Sequence, residues 1–201
     1  MDEVIPALVA AVQEQHATGD HYRDDAIRQA MEHQAQLALR PGPVRVDVIV
    51  DPPWSDGQIN SVQVVTGDRP FLVDTVASCL LRHGWRVEDV RHPIIGVKRD
   101  RGTIEAVGMP GRGGCASESW IHIDATAPLG TDIGQAAEQL RDDLCACLDQ
   151  VVCATDDWGA MHEAMLRTAE LVSASSGPAD DRDSSRELPV SYTHLTLPTT
   201  P

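Results

Sequence analysis

Two polar side chains on a short apolar run are the first candidates for chemistry in this chain. His122 and Asp124 alternate with Trp120, so on a β-strand the three side chains would share one face. A histidine beside a carboxylate can transfer protons, but no serine or cysteine nucleophile can be tied to the pair from sequence. We interpret both residues, like His92 before Pro93, as structural hydrogen-bonding groups, and we predict no catalytic residue.

The cysteines are a second candidate, because their thiolates can bind metals. Cys145 and Cys147 lie two positions apart on a predicted helix, where their side chains would point roughly 200° apart. Structural zinc sites instead favour a CxxC knuckle with a second pair of ligands. We therefore predict no metal site and place Cys147 in the core. The chain has five cysteines, an odd number, which does not suggest a disulfide framework and predicts a reduced, cytoplasmic protein.

A strand-to-helix turn at 66–74 is the third candidate. Gly67 can adopt backbone angles closed to other residues, Asp68 is suited to cap the following helix, and Pro70 fits its first turn. Such a turn directs free backbone N–H groups and the positive end of a helix dipole outward, which suits a small anion or an amino-acid carboxylate. The predicted ligand-binding residues are Gly67, Asp68, Arg69, Pro70 and Phe71.

Charge and composition argue against several classes of function. The formal net charge is -15 at pH 7, whereas binding to nucleic acid or to an anionic membrane requires clustered Lys and Arg. No apolar run approaches the roughly 20 residues that span a bilayer. The glycine-rich stretch 109–116 lacks the Lys-Ser/Thr of a phosphate loop and the GxGxxG of a dinucleotide fold. We predict no nucleic-acid partner, no membrane partner and no cofactor in this chain.

Hydrophobic periodicity and turn residues predict an α+β fold, in which extra helices precede and follow a sheet with two core helices. The predicted helices are two within 1–39, then 69–83, 132–148 and 157–173. The predicted strands are 44–50, 59–66, 85–99 with an interruption at His92-Pro93, 103–107, 117–124 and a closing strand at 151–155.

The turn at 66–74 also resembles the Asp-Arg-Pro-Gly-Leu-Leu turn of ACT domains, small ferredoxin-like βαββαβ modules that often sense amino acids. Further blocks follow in order at 92–100, 118–124 and 157–161, and the set resembles the N-terminal region of the large bacterial NAD-specific glutamate dehydrogenases. In ligand-binding ACT modules a glycine follows Asp-Arg-Pro. Phe71 stands there in this chain, and we expect its ring to fill the place where the backbone of a ligand would pass.

The resemblance also implies a domain organisation. We predict an N-terminal helical segment at 1–43, an ACT-like domain at 44–156, a C-terminal helix at 157–173 and a flexible linker at 174–189. Residues 190–201 match the translation of a transposase adapter used in sequencing libraries, and we interpret them as a non-native tail. We expect the natural gene to continue in frame from near Pro189.

By resemblance, the parent enzyme converts L-glutamate and NAD to 2-oxoglutarate and ammonia, and its catalytic domain lies toward the C-terminus. The resemblance implies a regulatory or assembly module without catalytic or cofactor-binding residues. The partners that it implies are other domains or subunits of a homo-oligomeric enzyme, and an amino-acid effector. The alternative is a stand-alone amino-acid-sensing ACT regulator. A third hypothesis, a small hydrolase that uses His122 and Asp124, requires a nucleophile.

Overall fold

The computed structural model describes residues 4–15, 24–55 and 57–174. The chain divides into two compact units, 1–149 and 150–201. The predicted tail at 190–201, and the predicted linker beyond Ala174, lie outside the described residues. The domain boundaries inferred from the sequence stay predictions.

Two helices begin the first unit, as the sequence predicts. They are α1 (Val4–Gln15) and α2 (Asp24–Ala38), and they pack against each other. Ala30 and Met31 lie four and three residues before Gln34 on one face of α2, and all three are buried. The two helices share one core cluster with residues of the sheet: Leu8, Val9, Val12, Met31, Ala35, Leu37, Ala38, Val65, Ile95, Val97, Ile104 and Trp120.

The described residues form one sheet, in which every strand pairing is antiparallel. The strands are β1 (Val44–Ile49), β2 (Asn60–Gly67), β3 (Arg86–Arg91), β4 (Ile94–Asp100), β5 (Thr103–Gly108) and β6 (Ala116–Thr126). Their order in the sheet is β1-β2-β6-β4-β5, and β3 also pairs with β6. The predicted interruption at His92-Pro93 is confirmed, since it separates β3 from β4.

The remaining helices are α3 (Leu72–Arg82), α4 (Ile133–Asp156) and, in the second unit, α5 (Trp158–Ala174). The predicted closing strand at 151–155 is wrong, because these residues continue α4. Val151 and Val152 favour a strand by propensity, but no glycine or proline separates them from the helical pattern that precedes them. The two neighbours of β2 in the sheet are β6 and β1, so β1 occupies the place that a closing strand beside β2 would take.

The two faces of the sheet carry different side chains. Val65 of β2 and Trp120 of β6 are paired and belong to the core beneath α1 and α2. Because side chains alternate along a strand, Ser61, Gln63 and His122 lie on that same face. The opposite face presents buried apolar residues of β2 and β6, and α3 and α4 bury apolar stripes of their own. The α1/α2 face therefore holds this polar cluster, whereas the buried Ser119 of β6 lies on the opposite face.

Among the described residues, no helix has the length and apolar character that crossing a membrane requires.

Candidate functional site

The turn between β2 and α3 joins the end of one strand to the first turn of a helix, as predicted. The backbone N–H of Asp68 donates to the carbonyl of Ser117 on β6 at 2.9 Å, which fixes the turn against the sheet. The helix begins at Leu72. Its N-cap residue is Phe71, in the left-handed conformation with φ 69°, and within the described residues no side chain caps this terminus. The predicted capping role of Asp68 is therefore wrong.

The carboxylate of Asp68 instead binds a side chain on β6. The Ser119 hydroxyl donates to Asp68 Oδ1 at 2.8 Å, and Ser119 Oγ lies 2.8 Å from His92 Nε2. A carboxylate accepts only, so the serine proton points to Asp68 and Oγ accepts from His92 Nε2–H. Burial lowers the pKa of His92, and Asp68 opposes that shift.

Asp68, Ser119 and His92 have the residue types of a nucleophilic triad but not its order. In a triad the histidine takes the serine proton and a carboxylate holds the other ring nitrogen. Here the serine lies between the other two, accepts a hydrogen bond from the histidine and donates one to the carboxylate. The Ser119 side chain is also buried. The chain of hydrogen bonds positions Asp68 at the turn and does not activate a nucleophile.

The structure brings the predicted residues of the turn together but gives them different surroundings. Asp68 and Phe71 are exposed, and Phe71 retains 48% of its accessible surface. Gly67, Arg69 and Pro70 are half-buried. Arg69 Nε lies 3.4 Å from the carbonyl of Gly67, so this side chain folds back on the turn. The positive φ of Phe71 is the conformation that glycine adopts most easily.

His122 and Asp124 lie on the predicted face of β6, in a buried cluster with side chains of β2. His122 Nε2 lies 3.1 Å from both Ser61 Oγ and Asp124 Oδ1. Arg91 forms an ion pair with the other oxygen of Asp124. Ser61 is thus a serine beside His122 and Asp124 that the sequence alone did not connect with them.

The geometry of this cluster does not support a hydrolase. Ser61 and Asp124 contact the same histidine nitrogen, whereas a triad needs them on opposite nitrogens. The other nitrogen, Nδ1, lies 3.2 Å from the amide nitrogen of Gln63, which also donates to the Ala30 carbonyl at 3.0 Å. His122 Nδ1 must therefore accept, and the ring is neutral with its proton on Nε2. Burial lowers the pKa of His122 and outweighs its hydrogen bond to Asp124.

Sequence reasoning missed three members of this cluster: Ser61, Gln63 and Arg91. Ser61 and Gln63 alternate with valines on β2, a pattern that also fits a half-exposed strand. Both are fully buried, because α2 covers this face and supplies hydrogen-bond partners, including His33 at 2.8 Å from Gln63. The alternation of polar residues and valines on β2 does not show that a helix covers this face of the strand.

The cysteines lie in separate environments. All five are free thiols. Cys147 accepts a hydrogen bond from Arg82 of α3 at 3.1 Å and is half-buried, whereas the fully buried thiol is Cys79. The described residues contain no group of three or more His, Cys, Asp or Glu side chains arranged to hold a metal ion.

The mixed fold, with an antiparallel sheet, core helices and a strand-turn-helix at 60–82, defines an ACT-like α+β module. The family model for the glutamate dehydrogenase ACT1 domain matches residues 8–144, more than half of the chain. The chain therefore belongs to the glutamate dehydrogenase ACT1 domain family, which supports an N-terminal regulatory module of a glutamate dehydrogenase. A comparison with curated proteins gives no match.

Proposed function

We propose that this chain is an assembly and regulatory module of an NAD-dependent glutamate dehydrogenase, which converts L-glutamate and NAD to 2-oxoglutarate and ammonia. The family match supports the parent enzyme. The arrangement of the turn at 66–74 is the observation that supports an assembly role for the module. The carboxylate of Asp68 is already bound by Ser119, and Phe71 follows Pro70 where ligand-binding ACT modules have glycine. These features favour packing over ligand capture.

Binding of NAD and catalysis belong, in this proposal, to a domain outside the chain. A dinucleotide loop places its glycines between a strand and the N-terminus of a helix. The glycines of 109–114 instead lie between β5 and β6. This placement supports a module that binds no nucleotide itself. The free cysteines support a reducing, cytoplasmic location.

The surfaces proposed for assembly are at the two ends of α3. Phe71 precedes the helix and Leu81 lies in its last turn, with exposed fractions of 48% and 68%. Large apolar side chains with this exposure are suited to contacts with other domains or with a second subunit. A homo-oligomeric enzyme would bury them.

The test uses the complete enzyme with the double substitution Phe71→Ser and Leu81→Ser. We expect a smaller oligomer by size-exclusion chromatography with light scattering, together with a changed KM or kcat for glutamate. The matched control is Met109→Ser, which removes an exposed apolar side chain from the β5–β6 loop. An unchanged oligomer and unchanged kinetics in the double variant would reject the assembly role.

An amino-acid sensor is the second candidate, because Asp68 stays exposed although Ser119 binds it. Its carboxylate can still reach the ammonium group of a ligand. The sensor hypothesis expects saturable binding of one amino acid in calorimetry, and loss of that binding in Asp68→Ala. Asp74→Ala, an exposed carboxylate in the first turn of α3, is the control and should bind normally. A flat titration against all common amino acids would eliminate this candidate.

A further inference from the structure

Two thiols and a guanidinium meet between α3 and α4. Cys79 lies on the buried stripe of α3, and Cys147 is half-buried on α4. Arg82 Nη2 donates to Cys147 Sγ at 3.1 Å. Cys79 lies one helical turn before Arg82 on α3, and long helical side chains lean back over the turn that precedes them. Burial raises the pKa of Cys79, and the Cys147 thiol adds to that shift. One arginine therefore binds Cys147 directly beside the turn of α3 that carries Cys79.

The same pair of helices is held together at a second point. His83 Nε2, at the end of α3, lies 2.8 Å from Asp143 Oδ2 on α4, one helical turn before Cys147. The Arg82–Cys147 and His83–Asp143 contacts hold the C-terminal turn of α3 against two successive turns of α4. Cys79 and Cys147 therefore lie on helices that pack at a fixed interface.

We propose that Cys79 and Cys147 form a peroxide-oxidisable dithiol that closes into a disulfide between α3 and α4. This site goes beyond the proposed assembly role and does not depend on it. Cys147 reacts first, because it is half-buried whereas Cys79 is fully buried, and because the Arg82 guanidinium donates a hydrogen bond to its sulfur. The buried Cys79 has its pKa raised by burial and stays a thiol.

The oxidant is hydrogen peroxide or an alkyl hydroperoxide. The Cys147 thiolate attacks one peroxide oxygen, the O–O bond breaks, and the products are a sulfenic acid and hydroxide, or alkoxide, which takes a proton. The Cys79 sulfur then attacks the sulfenic sulfur, the S–O bond breaks, and water leaves with the thiol proton. In total, two thiols are oxidised to one disulfide and one hydrogen peroxide is reduced to two waters.

The test is peptide mapping of the peroxide-treated chain under non-reducing conditions, with free thiols blocked. Trypsin gives one peptide with Cys79, residues 46–82, because the Arg69-Pro70 bond resists cleavage. A second peptide, 142–167, contains Cys145, Cys147 and Cys153. We expect the two peptides cross-linked within one chain, lighter by two hydrogens than their sum, and separated by dithiothreitol. No cross-link, or one only between chains, would overturn the proposal.

Variants assign the sulfurs within the second peptide. The cross-link should persist in Cys145→Ser and Cys153→Ser and disappear in Cys147→Ser. In Cys79→Ala the sulfenic acid on Cys147 cannot be resolved, so a 1,3-diketone reagent should label Cys147. Unchanged cross-linking in Cys147→Ser would overturn the assignment, as would an unlabelled Cys147 in folded Cys79→Ala.

The role of Arg82 has its own comparison. Arg82→Gln should slow cross-linking several-fold, because the charge beside the sulfur is lost. Arg86→Gln is the matched control, since Arg86 is an exposed arginine paired with Glu88, and its rate should equal that of the original chain. Equal rates in both variants would remove Arg82 from the mechanism.

Discussion

The protonation of His122 depends on one neighbour, Gln63. The amide nitrogen of Gln63 donates to the Ala30 carbonyl and to His122 Nδ1, while its oxygen lies 2.8 Å from His33 Nδ1. All its hydrogen-bonding groups are used. A proton on His122 Nδ1 would face the Gln63 N–H groups, so charging the ring would break the cluster. Folding therefore favours neutral His122, in agreement with its lowered pKa.

The lowered pKa values of His92 and His122 predict how stability changes with pH. In the unfolded chain these imidazoles take up protons near pH 6.5, and in the folded chain only at lower pH. Between these two pH values the unfolded state binds more protons than the folded state. The contribution of the two histidines to the free energy of unfolding is therefore complete above about pH 6.5 and is lost as the pH falls below that value. We expect a lower free energy of unfolding at about pH 5.5 than at about pH 7.5 from these groups.

Denaturant titrations of His92→Gln at both pH values measure this effect, because comparing variants cancels the other titrating groups. The loss of stability on acidification should be smaller in His92→Gln than in the original chain. His162→Gln, which removes an imidazole from α5, should leave the loss unchanged. The same pH dependence in His92→Gln and the original chain would refute the assignment.

The backbone of Phe71 carries strain that two substitutions can separate from the ring. A non-glycine residue in the left-handed region costs about 1–2 kcal/mol, whereas glycine adopts it freely. Phe71→Gly and Phe71→Ala both remove the ring and differ mainly in this cost. We expect Phe71→Gly to be the more stable by about 1 kcal/mol in thermal or denaturant unfolding. Equal stability would show that the positive φ is not retained in solution.

Sequence reasoning placed the turn correctly but not its hydrogen bonds. The glycine at 67 and the proline at 70 predict a turn by local chemistry. The partner of Asp68 is Ser119, which reaches it because β2 and β6 are paired with Thr66 opposite Ser119. A capping rule considers only residues close in sequence. The contact of Asp68 with Ser119 depends on the register of β2 and β6, and these residues are too far apart in sequence for that rule to consider.

Among the secondary-structure elements, the strands flanked by turn residues could be predicted from the sequence. The closing strand at 151–155, inferred from the expected βαββαβ order, could not. The predicted strand boundaries at 99 and 103 leave Asp100-Arg101-Gly102 between β4 and β5, and Arg101 and Gly102 have the positive φ values of a tight turn. The closing strand at 151–155 rested on two valines and the expectation of a βαββαβ order. The pairing of β1 with β2 had already filled that edge.

Gly96 tests the packing of β4 against the end of β5. A Cβ at this position would lie 2.4 Å from the Gly108 carbonyl oxygen and 2.4 Å from the Met109 carbonyl carbon, both backbone atoms. Backbone in a paired hairpin cannot move aside easily, so Gly96→Ala should destabilise by about 1–3 kcal/mol. Gly134→Ala is the control, because that residue lies in α4 with room for a Cβ and alanine favours helix. If Gly96→Ala unfolds at the same denaturant concentration as the original chain, the close approach is wrong.

Arg99 connects the C-terminus of α2 to the sheet. It pairs with both oxygens of Glu118, at 2.5 and 3.0 Å, and donates to the Ala38 carbonyl at 3.0 Å. The side chains of Arg99 and Glu118 are 16% and 9% exposed. Glu118→Gln would leave the buried guanidinium without its charge partner, at a cost of about 3 kcal/mol.

Glu105→Gln provides the comparison for this ion pair. Glu105 pairs with Lys98 on the exposed side of the β4–β5 hairpin, with side chains about half exposed, so its loss should change stability by less than about 1 kcal/mol. Denaturant unfolding of both variants measures the difference. Equal effects in the two variants would mean that burial does not strengthen the Arg99 contact.

For the molecule as a whole, the N-terminal helices fold with the sheet. α1 and α2 supply more than half of the residues in the core cluster that includes Trp120. The family match begins at residue 8, inside α1. A sheet without these helices would expose Val65, Ile95 and Trp120, and would leave Gln63 without its bond to Ala30. The buried polar cluster and the apolar core therefore depend on the same cover.

This organisation leads to a prediction about activity. The serines beside His92 and His122 are buried in structural hydrogen-bond chains, and the glycine-rich loop at 109–114 joins two strands. We expect no glutamate-dependent formation of NADH by the purified chain, followed by absorbance under conditions in which a complete glutamate dehydrogenase is active. The complete enzyme is the positive control, and circular dichroism of the chain confirms that it is folded. Steady turnover by the chain alone would place the catalytic site within these 201 residues. It would reject the proposal that NAD binding and catalysis belong to another domain.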